Sequence, residues 1–389
     1  MCARTHAADP VARMDRARPR RYRWGVPMSA IRRVEVERLA VPLDEVLVDA
    51  RHGAHTHFEL VLARIETADG IAGTGYTYTG GRGGRAVEAM LRHDLAPWLN
   101  GRDAGEVEAL HDAMQAHLHY VGRGGVASFA ISAVDIALWD LRGRRDGLPL
   151  WRMAGGAGRT CRAYRGGIDL DFPLPRLVSE ARGHLAAGFD ALKIKVGRPD
   201  LAEDVERVAA VREAIGPETT FMVDANYALD VAGAVEAARA FEPHGIAWFE
   251  EPIEPDDYDG YARIAQATGV PLAQGENLHT TREMGEALAR SRLSFLQPDA
   301  SNCGGITGWL RAARMARAAG VAVSSHGMQE LHVGLVSGFA GAEWIEVHAF
   351  PIDRYTERPL VMEGGRAVAS DAPGTGVVFD MDRLRAACP

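Results

Sequence analysis

The chain has 389 residues, 47% of them hydrophobic and 25% charged, with a formal net charge of −8. That length suits about two to three domains. The acidic balance speaks against a nucleic-acid surface, and no apolar run approaches the roughly 18–20 residues of a membrane span.

Residues 1–27 carry seven arginines and no apolar signal core. They read as a disordered basic extension or as a start assigned too early, with MSAIRRVEVERLAVPL from Met28 as the natural beginning. Residues 28–150 read as an α+β capping domain. IRRVEVERLAVPL and HFELVLARIETADGIAGTGYTYT alternate apolar and polar positions around the turn ADG, and the period becomes helical from Ala86 to about Arg144. The cysteines Cys2, Cys161, Cys303 and Cys388 are scattered without a C-x-x-C pair, which predicts reduced thiols in a cytoplasmic protein.

Residues 151–350 follow a different rhythm. Short apolar runs recur at near-even spacing: CRAYRGG, ALKIKVG, TFMVDAN, IAWFEEP, PLAQGEN, LSFLQPDAS, VAVSSHG and WIEVHAF. Helical patterns such as DVERVAAVREAIG fill most of the gaps. Strand and helix in alternation predict parallel strands closed into a TIM-type barrel, an α/β fold. A doubly wound open sheet is the alternative, disfavoured because no G-x-G-x-x-G turn follows the first strand. Residues 351–389 lose the rhythm and read as hairpins returning to the capping domain.

Barrel enzymes draw their catalytic residues from the C-terminal ends of the strands. There the runs offer Lys193 and Lys195, then Asp224, Glu250, Glu276, Asp299, His326 and Glu346. Asp224, Glu250 and Glu276 are each 26 residues apart, one strand–helix unit per step. Three carboxylates at one height repel unless a cation sits among them, and hard oxygen ligands suit Mg²⁺. Pairing of each acid with a loop arginine is the ordinary alternative. Lys193 and Lys195 share a strand face, so each is expected to lower the other's pKa and bring a general base nearer neutrality. Asp299 is placed to fix the tautomer of His326 on the next strand. A metal between a lysine and a histidine suits removal of a proton α to a carboxylate.

KIK (193–195), VDAN (223–226), WFEEP (248–252), GEN (275–277), QPDASNCGGITGW (297–309), SSHGMQE (324–330) and WIEVH (344–348) together resemble the enolase superfamily in its mandelate racemase-like subgroup. The resemblance spans about residues 30–380. It implies a modified (β/α)7β barrel with an α+β cap, and Asp224, Glu250 and Glu276 as Mg²⁺ ligands. It also implies Lys195 and His326 as opposed acid/base catalysts, Lys193 beside the substrate carboxylate, Glu346 as an electrophilic donor to that carboxylate, and a homo-oligomer. The subgroup holds acid-sugar dehydratases, which expel a β-hydroxyl to give a 2-keto-3-deoxy acid, and racemases, which reprotonate the α-carbon. The polar cap loops DARHGAHTHFE and TYTGGRGGR favour a sugar acid, an aldarate before an aldonate, over an aromatic hydroxy acid. Arg51, His55, Tyr78, Arg82, Arg165 and Asn226 are the candidate substrate-binding residues.

Overall fold

Alternating apolar positions build the first sheet. A computed structural model describes residues 28–388; the expectation for residues 1–27, Cys2 included, lies outside them. Strands β1 (Ile31–Asp49), β2 (Gly53–Thr67) and β3 (Ala72–Thr79) form an antiparallel meander, and Asp69 and Gly70 of the ADG sequence make the β2–β3 turn. The long helix Val126–Asp146 lies on β3. Gly73 and Gly75 permit that approach: a Cβ on Gly75 would stand 2.1 Å from the Ala133 carbonyl oxygen. The polar stretch from Asp49 to Glu59 is mostly strand and not loop, with a tight turn at 50–52. It carries Asp49 and His55 to the end of the meander.

Eight parallel strands follow: β4 (Thr160–Gly166), β5 (Ala191–Lys195), β6 (Thr220–Asp224), β7 (Ile246–Glu250), β8 (Leu272–Gln274), β9 (Phe295–Leu296), β10 (Ala322–Ser324) and β11 (Ala342–Val347). Each pairs with the next, and β11 pairs back onto β4, so the barrel is closed. An α-helix crosses between every successive pair of strands, and only a single 3-10 turn, Ile352–Tyr355, follows β11 before the C-terminal hairpin. This is a (β/α)7β barrel with a separate antiparallel sheet beside it.

Two-residue alternation decides what fills the barrel. Ala191, Met222, Trp248 and Trp344 pack with Tyr164 in a buried cluster. Two residues further along the same strand faces stand Lys193, Asp224, Glu250 and Glu346. The apolar plug closes one end, and the ionisable side chains occupy the other. The chain then returns. The hairpin β12 (Val361–Glu363) and β13 (Arg366–Val368) pairs antiparallel with β4, Thr375 donates its N–H to Asp140 of the long helix at 2.9 Å, and Arg385 pairs with Glu37 of β1 at 2.8 Å.

Candidate active site

The first strand of the meander reaches the barrel mouth: Val48 bridges Asp169, whose carboxylate accepts the Lys195 N–H at 2.9 Å. Between the meander and the strand ends lies a cavity of about 430 Å³, lined by Asp49, His55, Tyr78, Arg82, Lys195, Asn226, Glu276, Asp299, His326 and His348 among others. That is within the size range of small-ligand sites.

Asp224, Glu250 and Glu276 come together beside it, with Glu276 in its lining. One carboxylate oxygen from each lies within 4.8 Å of the others, and all three residues are buried. Lys193 is 2% exposed and reaches Glu250, Asp224 at 3.3 Å and Glu346 at 3.1 Å; Lys195 bonds Asp224 at 2.5 Å. Burial would favour neutral amines, but the surrounding carboxylates outweigh it and hold both lysines above their ordinary range. The expected net lowering of the lysine pKa values is therefore corrected: Lys193 does lower Lys195, but each ammonium faces more opposite charge than like charge. Among the acids, burial pushes Glu250 up to about 8, whereas Asp224, buried but lying between both ammonium groups, is pulled down to about 2. Three carboxylates converging in a buried site are stabilised by a cation among them.

The donor set fits Mg²⁺. It is all carboxylate, and Glu276 Oε2 is buried with no hydrogen bond among the described residues, facing His326 Nε2 at 3.3 Å. Glu250 Oε2 is aimed by Trp248 Nε1 at 2.9 Å and Gln297 Nε2 at 2.7 Å. Asn226, Glu251 and Met328, just past three strand ends, take left-handed backbone with φ of 40°, 36° and 44°, strain of the kind that clusters at functional sites.

His326 stands across the cluster from Lys195. Its Nδ1 bonds Asp299 Oδ2 at 2.9 Å, leaving Nε2 toward the cavity. Burial opposes its charge, but Glu276, Glu346 and Asp299 raise it to about 10. Tyr78 bonds the same Asp299 oxygen at 2.8 Å, so its hydroxyl serves the Asp–His pair instead of pointing freely at substrate. Glu346 accepts the Gly327 N–H at 3.1 Å and lies against Lys193; despite burial, the nearby cations hold it well below the usual carboxylate range.

The candidate binding residues divide. Asn226 is buried, lines the cavity and has an unpartnered Oδ1; Arg82 lines the rim. His55 lines it too but gives Nε2 to Asp49 at 2.7 Å. Two arginines are not brought there. Arg51 pairs with Glu254 at 2.7 Å on the exposed surface, and Arg165 donates to the carbonyls of Val347 and His348, each at 3.0 Å. Both found partners closer than the cavity, which sequence position does not reveal. Asp49 and His348 line the cavity without having been singled out; for His348 the signal was its place two residues beyond Glu346 in WIEVH.

Two family models match the chain. The one described as Mandelate racemase / muconate lactonizing enzyme, N-terminal domain, covers residues 33–155, and the one described as Enolase C-terminal domain-like covers residues 176–383. A 3,6-anhydro-alpha-L-galactonate cycloisomerase from Streptomyces coelicolor is 45% identical over 91% of this chain and 98% of that protein. A crystal structure of a Streptomyces coelicolor A3(2) racemase with bound magnesium superposes with TM-score 0.90 at 44% identity, over 92% of this chain and 100% of that one. L-Talarate dehydratase from Polaromonas sp. JS666, complexed with Mg and L-glucarate, gives TM-score 0.87 at 32% identity, over 92% and 97%.

Proposed function

The chain belongs to the mandelate racemase/muconate lactonizing enzyme family of the enolase superfamily, and on that premise we propose that it removes the proton α to the carboxylate of a sugar acid and expels the β-oxygen. The observation that carries the reading is the placement of Lys195 and His326 on opposite sides of the Asp224–Glu250–Glu276 cluster.

Asp224, Glu250 and Glu276 would hold Mg²⁺. When bound, the ion supplies a Lewis acid for the substrate carboxylate and offsets the negative charge that otherwise keeps the lysines protonated. Lys193, buried beside Glu346, neutralises charge developing on the carboxylate as the α-proton leaves. Lys195 and His326 take and return protons on either face of the α-carbon, with Asp299 holding the imidazole so that Nε2 does the transfer. The Asn226 carbonyl accepts from a substrate hydroxyl, and Arg82 binds polar groups at the rim.

The identity of the β-oxygen sets the reaction class. A hydroxyl departs as water, which makes the enzyme a dehydratase and a lyase. The C3 oxygen of a 3,6-anhydro acid is also β to the carboxylate but belongs to a ring. Its expulsion opens the ring and loses no atoms, so the enzyme is then an isomerase. The 45% identity to a 3,6-anhydro-galactonate cycloisomerase favours the ring ether; likeness to an L-talarate dehydratase keeps the hydroxyl as the second reading. The test is incubation with Mg²⁺ in D₂O against 3,6-anhydrohexonates, aldarates and aldonates. A 2-keto product isomeric with an anhydro acid is expected; one lighter by a water makes it a dehydratase. α-Deuterium exchange or inversion with no keto product overturns elimination in favour of racemisation.

A further inference from the structure

His348 has no role in the reaction as described, yet it lines the cavity and is 7% exposed. Its ring is held on the Nδ1 side. Nδ1 accepts the Phe350 N–H at 3.1 Å, and the ring stands edge-on to Phe350 with centroids 4.8 Å apart. Its backbone N–H meets Gln329 Oε1 at 3.4 Å, and its carbonyl accepts from Arg165. Since Nδ1 is an acceptor, the neutral ring carries its proton on Nε2. That nitrogen has no hydrogen-bond partner among the described residues. Burial, opposed by Glu346 and aided by His326 and the two lysines, lowers its pKa to about 3 and holds the ring neutral.

Its height follows from the strand. His348 is the first residue past the end of β11 and lies two residues beyond Glu346, on the cap side of it. Glu346 is level with Lys193, where the carboxylate end of the substrate belongs. His348 lies beside His326, with ring centroids 5.1 Å apart, and its imidazole offers a ligand atom within 4.8 Å of those of His326 and Glu346. It stands beside His326 on the cavity wall, on the cap side of the level where the substrate carboxylate would lie.

We propose that the Nε2–H of His348 donates a hydrogen bond to the departing β-oxygen of the substrate and assists C–O cleavage without taking part in α-proton removal. This rests on the elimination reading above. In the step, the α C–H pair becomes the α,β double bond and the β C–O pair leaves on oxygen. The proton that oxygen acquires comes from the His326 imidazolium, whether His326 began protonated or gained the α-proton itself. His348 keeps its own proton, as a neutral imidazole of low pKa does.

His348→Phe keeps a ring and removes the donor, while His348→Gln puts an amide N–H near the Nε2 position. Both are assayed with Mg²⁺ in D₂O, reading keto product and α-deuterium in recovered substrate. Removing the donor is expected to slow product formation by about 100-fold, with α-exchange within about threefold of the parent, so exchange per product rises; the Gln variant regains most of the product rate. Exchange and product falling together in both variants, or product unchanged in His348→Phe, overturns the role of His348 alone. A parent protein that neither exchanges nor eliminates with any acid sugar overturns the elimination reading instead.

Discussion

The Tyr78 hydroxyl, on the antiparallel sheet, donates to Asp299 Oδ2 at 2.8 Å, the same oxygen that bonds His326 Nδ1 at 2.9 Å. One domain thus supplies a ligand to the orienting group of the other domain's acid/base histidine. A hydrogen bond to an ionised group contributes about 1.5–3 kcal/mol. Tyr78→Phe is expected to lower kcat roughly tenfold or more while leaving Mg²⁺ affinity unchanged, measured by steady-state kinetics beside a metal titration.

Glu250 bonds Trp248, Gln297 and Lys193 and supplies one carboxylate of the metal cluster. Glu250→Gln keeps the shape and removes the charge. The expected outcome is a folded protein that has lost activity and the rise in Tm on adding Mg²⁺, because a ligand stabilises only the state that binds it. Thermal unfolding with and without Mg²⁺ checks this; full activity without added Mg²⁺ would refute the ligand assignment.

Glu330, at the start of the helix Gln329–Gly338, is buried and receives the Tyr76 hydroxyl. Burial pushes its carboxyl up to about 8 from 4.5. A raised folded-state pKa gives stability that is complete below the unfolded value and is lost as pH rises through the folded one. Stability of the parent should therefore fall between pH 4.5 and 8 from this group, by on the order of 1 kcal/mol per pH unit. Glu330→Gln, which mimics the protonated acid, should flatten that slope and gain on the parent at pH 9 relative to pH 6 in urea unfolding.

Gly75 lies where a Cβ would meet the Ala133 carbonyl oxygen at 2.1 Å and the Ala137 nitrogen at 2.3 Å. Gly75→Ala must push the long helix off the sheet. A loss of about 1–3 kcal/mol is expected, seen as a lower Tm, with activity affected through the displaced Tyr78.

The barrel and its polar mouth were legible because strand alternation and unit spacing are local. KIK places both lysines on the face that two-residue periodicity requires, and steps of 26 residues carry Asp224, Glu250 and Glu276 to neighbouring strands. What was not legible depends on pairing across the fold. Arg51 found Glu254, Arg165 found two carbonyls and Tyr78 found Asp299. The direction of the lysine shifts was misjudged for the same reason. Spacing shows that the lysines are neighbours, whereas their pKa values depend on how many carboxylates converge on them in space. Asp49 was hidden in a stretch read as loop that is in fact the end of a strand.

The central claim is that Lys195 is one of the two acid/base groups flanking a metal it does not bind, and the most direct measurement is Lys195→Ala, assayed for turnover and Mg²⁺ affinity in one preparation. Loss of a positioned acid/base group costs about 10²–10⁴-fold, so product formation should fall by at least that range with Mg²⁺ affinity within a few-fold of the parent. Turnover within tenfold of the parent, with metal still bound, would contradict the account.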